Sequence, residues 1–137
     1  MQSTFKIYTK GGDKGTSVLF TGDRLSKANE VFHCLGSIDE LNAHLGLARE
    51  HYRRMETKQG VELDDHAGQL EEIQARLIDV GSHVATPRKS EEADKKIAHT
   101  TFSTSHSSDL ESWIDQMDLK LPPLKNFILP SGGLAAS

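Results

Sequence analysis

From residue 28 to about residue 54 no proline interrupts the chain, and Val31, Leu35, Ile38, Leu41, Leu45, Ala48 and Tyr52 recur at steps of three and four. At 3.6 residues per turn these positions fall on one face, so the segment predicts a single long amphipathic helix. Such a helix spans roughly 40 Å at 1.5 Å per residue. That is more than a compact arrangement of 137 residues needs, and its natural setting is an elongated all-α bundle. A second run, Leu63, Ala67, Leu70, Ile73, Leu77, Val80 and Val84, repeats the pattern through Gly68 and Gly81. It predicts helix over 63–85, closed by Thr86-Pro87. A third helix is expected from Ser108, where Ser108 and Glu111 have capping-box spacing and Leu110, Trp113, Ile114 and Met117 form the stripe. Leu121-Pro122-Pro123 ends it.

The segments between and around these helices differ in kind. Residues 1–27 alternate only loosely around Phe5, Ile7 and Tyr8 before a glycine-rich stretch, and predict extended chain and turns. Residues 87–104 mix both charge signs with little apolar periodicity and read as a solvated loop. At the end, Leu134-Ala135-Ala136 follows a Pro-Ser-Gly-Gly turn and has the look of a helix's first turn. The length suits one domain. A net charge of −4 gives no global basic field, so neither nucleic acid nor an anionic membrane is an expected partner. No apolar run is long enough to span a bilayer, and the first ten residues lack the apolar core of a signal peptide. The lone Cys34 cannot form an intramolecular disulfide.

Chemistry concentrates in four places. Thr9-Lys-Gly-Gly-Asp-Lys-Gly-Thr-Ser17 has the content of a phosphate cradle: glycines that let several N–H groups converge on an anion, lysines that add charge, and hydroxyl donors. It is not a Walker A loop, because Lys14 precedes Gly15 instead of following it. Taken alone it reads rather as a tight surface turn, and Lys27 as a solvated lysine. Asp39 and Glu40 border the buried stripe of the first helix beside Ile38 and Leu41, where a carboxylate needs either water or an arginine partner. Phe127 stands four residues before Ser131-Gly-Gly, as a core aromatic or a ligand-facing one. The seven histidines have no metal-ligand spacing, so no metal site made of side chains is expected.

Taken together, the segments resemble the PduO-type family of ATP:cob(I)alamin (corrinoid) adenosyltransferases. The likeness rests on Ile7-Tyr-Thr-Lys-Gly-Gly-Asp-Lys-Gly15, Leu19-Phe-Thr-Gly22 with Lys27, and Gly36-Ser-Ile-Asp-Glu-Leu-Asn42. It continues through Ile73-Gln74, Asp79-Val-Gly81, Ala85-Thr-Pro87, Leu121-Pro-Pro-Leu124 and Phe127-Ile-Leu-Pro-Ser-Gly-Gly133. The wording of Thr100-Thr-Phe102 and Trp113-Ile-Asp115 is most similar to the animal mitochondrial branch. The resemblance implies a five-helix bundle, of which about three long helices fall within this chain, assembled as a homotrimer with sites between subunits.

By the same resemblance, Thr9, Lys10, Gly11 and Gly12 wrap the ATP triphosphate, Ser17 and Val18 touch it, and Lys27 binds phosphate oxygens. Asp39 pairs with an arginine of a later helix and helps hold the corrinoid, while Phe127 crowds the lower face of the corrin. The implied reaction carries the 5′-deoxyadenosyl group from ATP to cob(I)alamin, with Mg2+ accompanying ATP and no catalytic side chain assigned. The resemblance implies a mitochondrial location for the animal branch, though residues 1–137 include no transit peptide, and a cytoplasmic one for a bacterial member. Two departures stand out. Gly11 replaces the family's usual threonine, and the family's two further helices, with their arginine-rich segment, are not among residues 1–137. The chain is therefore expected to be an incomplete domain with little activity of its own. The alternative is a noncatalytic helical subunit that co-assembles with the longer enzyme.

Overall fold

A computed structural model describes residues 8, 10–59, 65–87, 100–129, 131–134 and 136. Among the described residues two short strands, β1 (Thr16–Val18) and β2 (Arg24–Ser26), precede the helices α1 (Glu30–Gln59), α2 (His66–Val84) and α3 (Ser105–Asp118). The mostly helical class expected from the periodicity is what is found. The extended N-terminal segment adds an antiparallel hairpin, with Thr16 opposite Ser26 and Val18 opposite Arg24.

Each helix begins and ends for a local reason. Asn29 caps α1, its Oδ1 accepting the Val31 N–H at 3.0 Å and its carbonyl accepting from Phe32 at 2.9 Å. Asp65 caps α2 by accepting the Gly68 N–H at 3.0 Å. At its far end the Ala85 N–H donates to the Gly81 carbonyl and Thr86 Oγ1 to the Ser82 carbonyl, at 2.9 and 2.8 Å, and Pro87 follows. α3 departs from expectation. It starts at Ser105, three residues before the proposed capping box, and Thr104 at its N-cap makes no side-chain capping bond. Ser108 and Glu111 lie inside the helix; at its start the Ser105 N–H donates to Ser103 Oγ at 3.2 Å and the ring of His106 packs on that of Phe102 at 5.1 Å.

The expected loop over 87–104 needs a second correction at its described end. Thr100 is buried, and its carbonyl lies 2.9 Å from His83 Nδ1, so this part is tied to the end of α2. Residues 88–99 fall outside the described chain, as does the start of the second predicted helix at Leu63. Beyond α3, Gly132 and Gly133 take positive φ and the Ala136 N–H closes a turn on the Gly133 carbonyl at 3.0 Å, the single turn foreseen there.

α1 and α2 lie antiparallel. Contacts pair Leu35 with Gly81, Asn42 with Gln74, Arg49 with Glu71 and Tyr52 with His66, numbers rising on one helix as they fall on the other. Gln74 sets the register. Its Nε2 donates to the Asn42 carbonyl at 3.0 Å, Asn42 Nδ2 donates back to the Gln74 carbonyl at 3.2 Å, and Arg49 Nη1 donates to Gln74 Oε1 at 3.0 Å. This close approach depends on Gly46, where a Cβ would stand 3.0 Å from Gln74 Nε2. Among the described residues only Leu19 and Ala67 are buried apolar side chains, and most of both helical stripes is half-buried. Among the described residues Leu41, Leu47, Ile78 and Ile114 stay about half exposed or more. The apolar faces are open.

Candidate functional site

The glycine-rich stretch forms two consecutive turns. The Asp13 N–H donates to the Lys10 carbonyl at 3.3 Å and the Gly15 N–H to the Gly12 carbonyl at 3.2 Å. Lys10 has φ of 56°, in the left-handed region that costs a non-glycine residue about 1–2 kcal/mol. Such local strain is characteristic of ligand-binding backbone. Its ammonium lies 5.8 Å from the centre of the Tyr8 ring.

The hairpin folds β2 back so that the Lys27 N–H donates to the Gly15 carbonyl at 2.9 Å. The Lys27 side chain then crosses the turn, and a Cβ at Gly12 would lie 3.0 Å from both its Cε and its Nζ. Only a residue without a side chain lets the ammonium settle against this backbone. Lys10, Gly11, Gly12 and Lys27 are thus brought together. Ser17, half-buried, and Val18, exposed, follow on β1. Thr9 lies outside the described residues.

Sequence reasoning did not single out Arg24, which braces this turn. Its Nη1 donates to the Gly11 carbonyl at 3.1 Å and to Thr16 Oγ1 at 3.0 Å. Strands of three residues leave no alternation from which such a cross-strand brace could be read.

Asp39 is exposed and lines a groove of about 320 Å³ between α1 and α2. The loop joining the two strands reaches the same groove: Phe20 forms one wall, with Ile38, Asn42, Ile78 and Ser82 around it. Phe127 is not brought to this place. It is fully exposed, beside a shallow hollow made by residues 124–127. A larger hollow of about 460 Å³ between α2 and α3 is walled by Ile73, Leu77, Val80, Phe102, Leu110 and Trp113. Its Arg76 is held by Glu72 and Asp79 at 2.9 and 2.6 Å, and none of the expected site residues faces it. It is a packing seam.

Comparison with known proteins bears on all these features. The chain is 46% identical over 132 residues to the corrinoid adenosyltransferase MMAB of Mus musculus, covering 96% of this chain and 52% of the relative. Against MMAB of Homo sapiens the identity is 45%, with 96% and 50% covered. Against the corrinoid adenosyltransferase PduO of Citrobacter freundii it is 34%, with 96% and 35% covered. The chain therefore spans about half the length, or less, of these curated relatives. Among solved structures, a variant PduO-type ATP:corrinoid adenosyltransferase from Lactobacillus reuteri, complexed with cobalamin and ATP, superposes with a TM-score of 0.74 at 31% identity. That match covers 96% of this chain and 67% of the other. The family model described as cobalamin adenosyltransferase matches residues 7–137, and the chain, glycine-rich turn, hairpin and helices together, belongs to that family.

Proposed function

We propose that this chain transfers the 5′-deoxyadenosyl group of ATP to cob(I)alamin, giving adenosylcobalamin and triphosphate. The observation that carries the reading is Lys27 folded over the Gly12 turn, in a chain that belongs to this family. In the step itself the cobalt lone pair of cob(I)alamin attacks C5′ of the ribose. A cobalt–carbon bond forms, the C5′–O bond breaks, and the triphosphate leaves with that electron pair. The reactive metal belongs to the substrate, so the protein's work is placement and charge neutralisation.

Thr9, Lys10, Gly11 and Gly12 would wrap the triphosphate, with Ser17 and Val18 beside it and Lys27 on its oxygens. A threonine hydroxyl is missing at Gly11, but its N–H remains. Among the described residues no cluster of three or more His, Cys, Asp or Glu side chains could hold a metal ion. Mg2+ would travel on the ATP phosphates. Asp39 and Phe127 would face the corrinoid, Asp39 from the α1–α2 groove and Phe127 from the segment beyond α3.

Assembly as a homotrimer belongs to the same proposal. Leu41, Leu47, Ile114, Leu121 and Leu124 are among many exposed apolar side chains, surface that subunit contacts would cover. The same open faces favour a second role, as a noncatalytic subunit joining longer copies of the enzyme. The greater similarity to the animal relatives, 46% against 34%, supports a mitochondrial location, to be checked by fractionation.

Titration calorimetry with MgATP tests the main reading. Lys27→Ala should weaken binding by about 10–100-fold, the worth of one charged phosphate contact. Unchanged affinity would return Lys27 to an ordinary solvated lysine. Formation of adenosylcobalamin under strong reductant then separates the two roles: turnover supports the transferase, and co-assembly without turnover supports the noncatalytic subunit.

A further inference from the structure

We propose that Phe20 is a positioning residue that couples the nucleotide turn to the Asp39 groove, a role that rests on the adenosyl-transfer reading above. The hairpin has two working ends. At one, Gly12 and Lys27 form the phosphate turn. At the other, residues 19–23 form a closed turn, the Leu19 N–H donating to the Asp23 carbonyl and the Gly22 N–H to the Leu19 carbonyl, each at 2.9 Å. Thr21 Oγ1 adds a bond to Asp23 Oδ2 at 2.7 Å. Three paired positions on each strand, about 10 Å of chain, separate the two ends.

The far end is docked on α2. Leu19 is 4% exposed, the lowest of any described apolar side chain, and the Phe20 N–H donates to the Ala85 carbonyl at the end of α2 at 3.1 Å. That bond directs the Phe20 ring into the wall of the groove lined by Asp39 and Asn42, where it remains 56% exposed. A ligand filling the groove packs on this ring, and a triphosphate on Lys27 holds the opposite end of the same hairpin. One hydrogen-bonded element therefore meets both ligands, and they are coupled to the extent that both favour the same placement of that hairpin over its alternatives. The chemistry demands such an element, because attack on C5′ tolerates little error in the relative placement of nucleotide and cobalt.

Binding of cob(II)alamin to the chain, followed by its absorption spectrum with and without MgATP, tests this. In the unsubstituted chain MgATP should tighten cob(II)alamin by about tenfold. Phe20→Ala should bring that ratio close to one, and Phe20→Tyr, which keeps the ring, should restore it. A residue that merely supported the fold would lower both affinities and leave the ratio intact, and that result overturns the proposal. So does an unsubstituted chain that binds both ligands without coupling. A chain that binds neither defeats the adenosyl-transfer reading itself, and the first titrations alone reveal it. Hydrogen exchange on the unsubstituted chain needs no variant to fold: cob(II)alamin should protect the amides of Gly15 and Lys27, and MgATP those of Phe20 and Gly22. Protection confined to each ligand's own end would refute the coupling.

Discussion

The α1–α2 pair and the segment that follows α3 put their apolar residues to opposite use. Between α1 and α2 the half-buried stripes are locked by directional bonds, Gln74 to Asn42 and Arg49, with Glu71 bridging Arg49 and Arg53 at 3.5 and 3.2 Å. Over residues 119–129, by contrast, Leu119, Leu121, Leu124, Phe127, Ile128 and Leu129 are all exposed, most of them by well over half. Apolar burial alone is permissive about register, whereas a polar pair at the seam admits one alignment. The first region is specified from within the chain. The second is apolar surface whose specification comes from whatever it meets.

Substitutions should break that contrast in graded fashion. Gln74→Leu removes two interhelical bonds and leaves Asn42 and Arg49 short of partners, and should cost about 3 kcal/mol in urea unfolding. A loss below about 0.5 kcal/mol would mean that apolar packing alone holds the pair. Glu71→Gln should cost less than about 1 kcal/mol, because its carboxylate is 60% exposed. The loss should shrink further in 1 M salt, where the screening length is about 3 Å, and a salt-independent loss would point instead to packing of its methylenes. Phe127→Ala should change stability by no more than about 0.5 kcal/mol, since the ring touches almost nothing. Its effect should appear in corrinoid affinity or in sedimentation of the assembled protein, and a large drop in unfolding free energy would show that the ring is buried in the free chain.

What could be read in advance follows the same division. Periodicity revealed α1 and α2 because their stripes repeat over many turns. It placed the end of α1 near Arg54, whereas the helix runs to Gln59, since Glu56-Thr-Lys-Gln59 continues the backbone helix with no apolar stripe to announce it. The third helix starts after Thr104 and not at the serine-glutamate pair 108 and 111, because local contacts just before it, the Ser105 N–H on Ser103 Oγ and the His106 ring on Phe102, leave no periodic trace in the sequence. The glycine-rich turn and Lys27 were legible as chemistry, but their mutual contact was not, because it depends on a hairpin of three-residue strands. Asp39 was recognisable as a carboxylate at the edge of a stripe. Phe20 was not, for its position depends on a hydrogen bond to Ala85, sixty-five residues away along the chain.

Gly46 carries a lesson for anyone who would engineer this scaffold. On an isolated helix, alanine in place of an interior glycine improves stability by about 1 kcal/mol, and propensity-guided optimisation would select that change early. Here the added methyl would press on Gln74 Nε2 at 3.0 Å and push aside the amide that aligns the two helices. The rule for one helix leaves this contact out, so any redesign of α1 has to be scored together with α2.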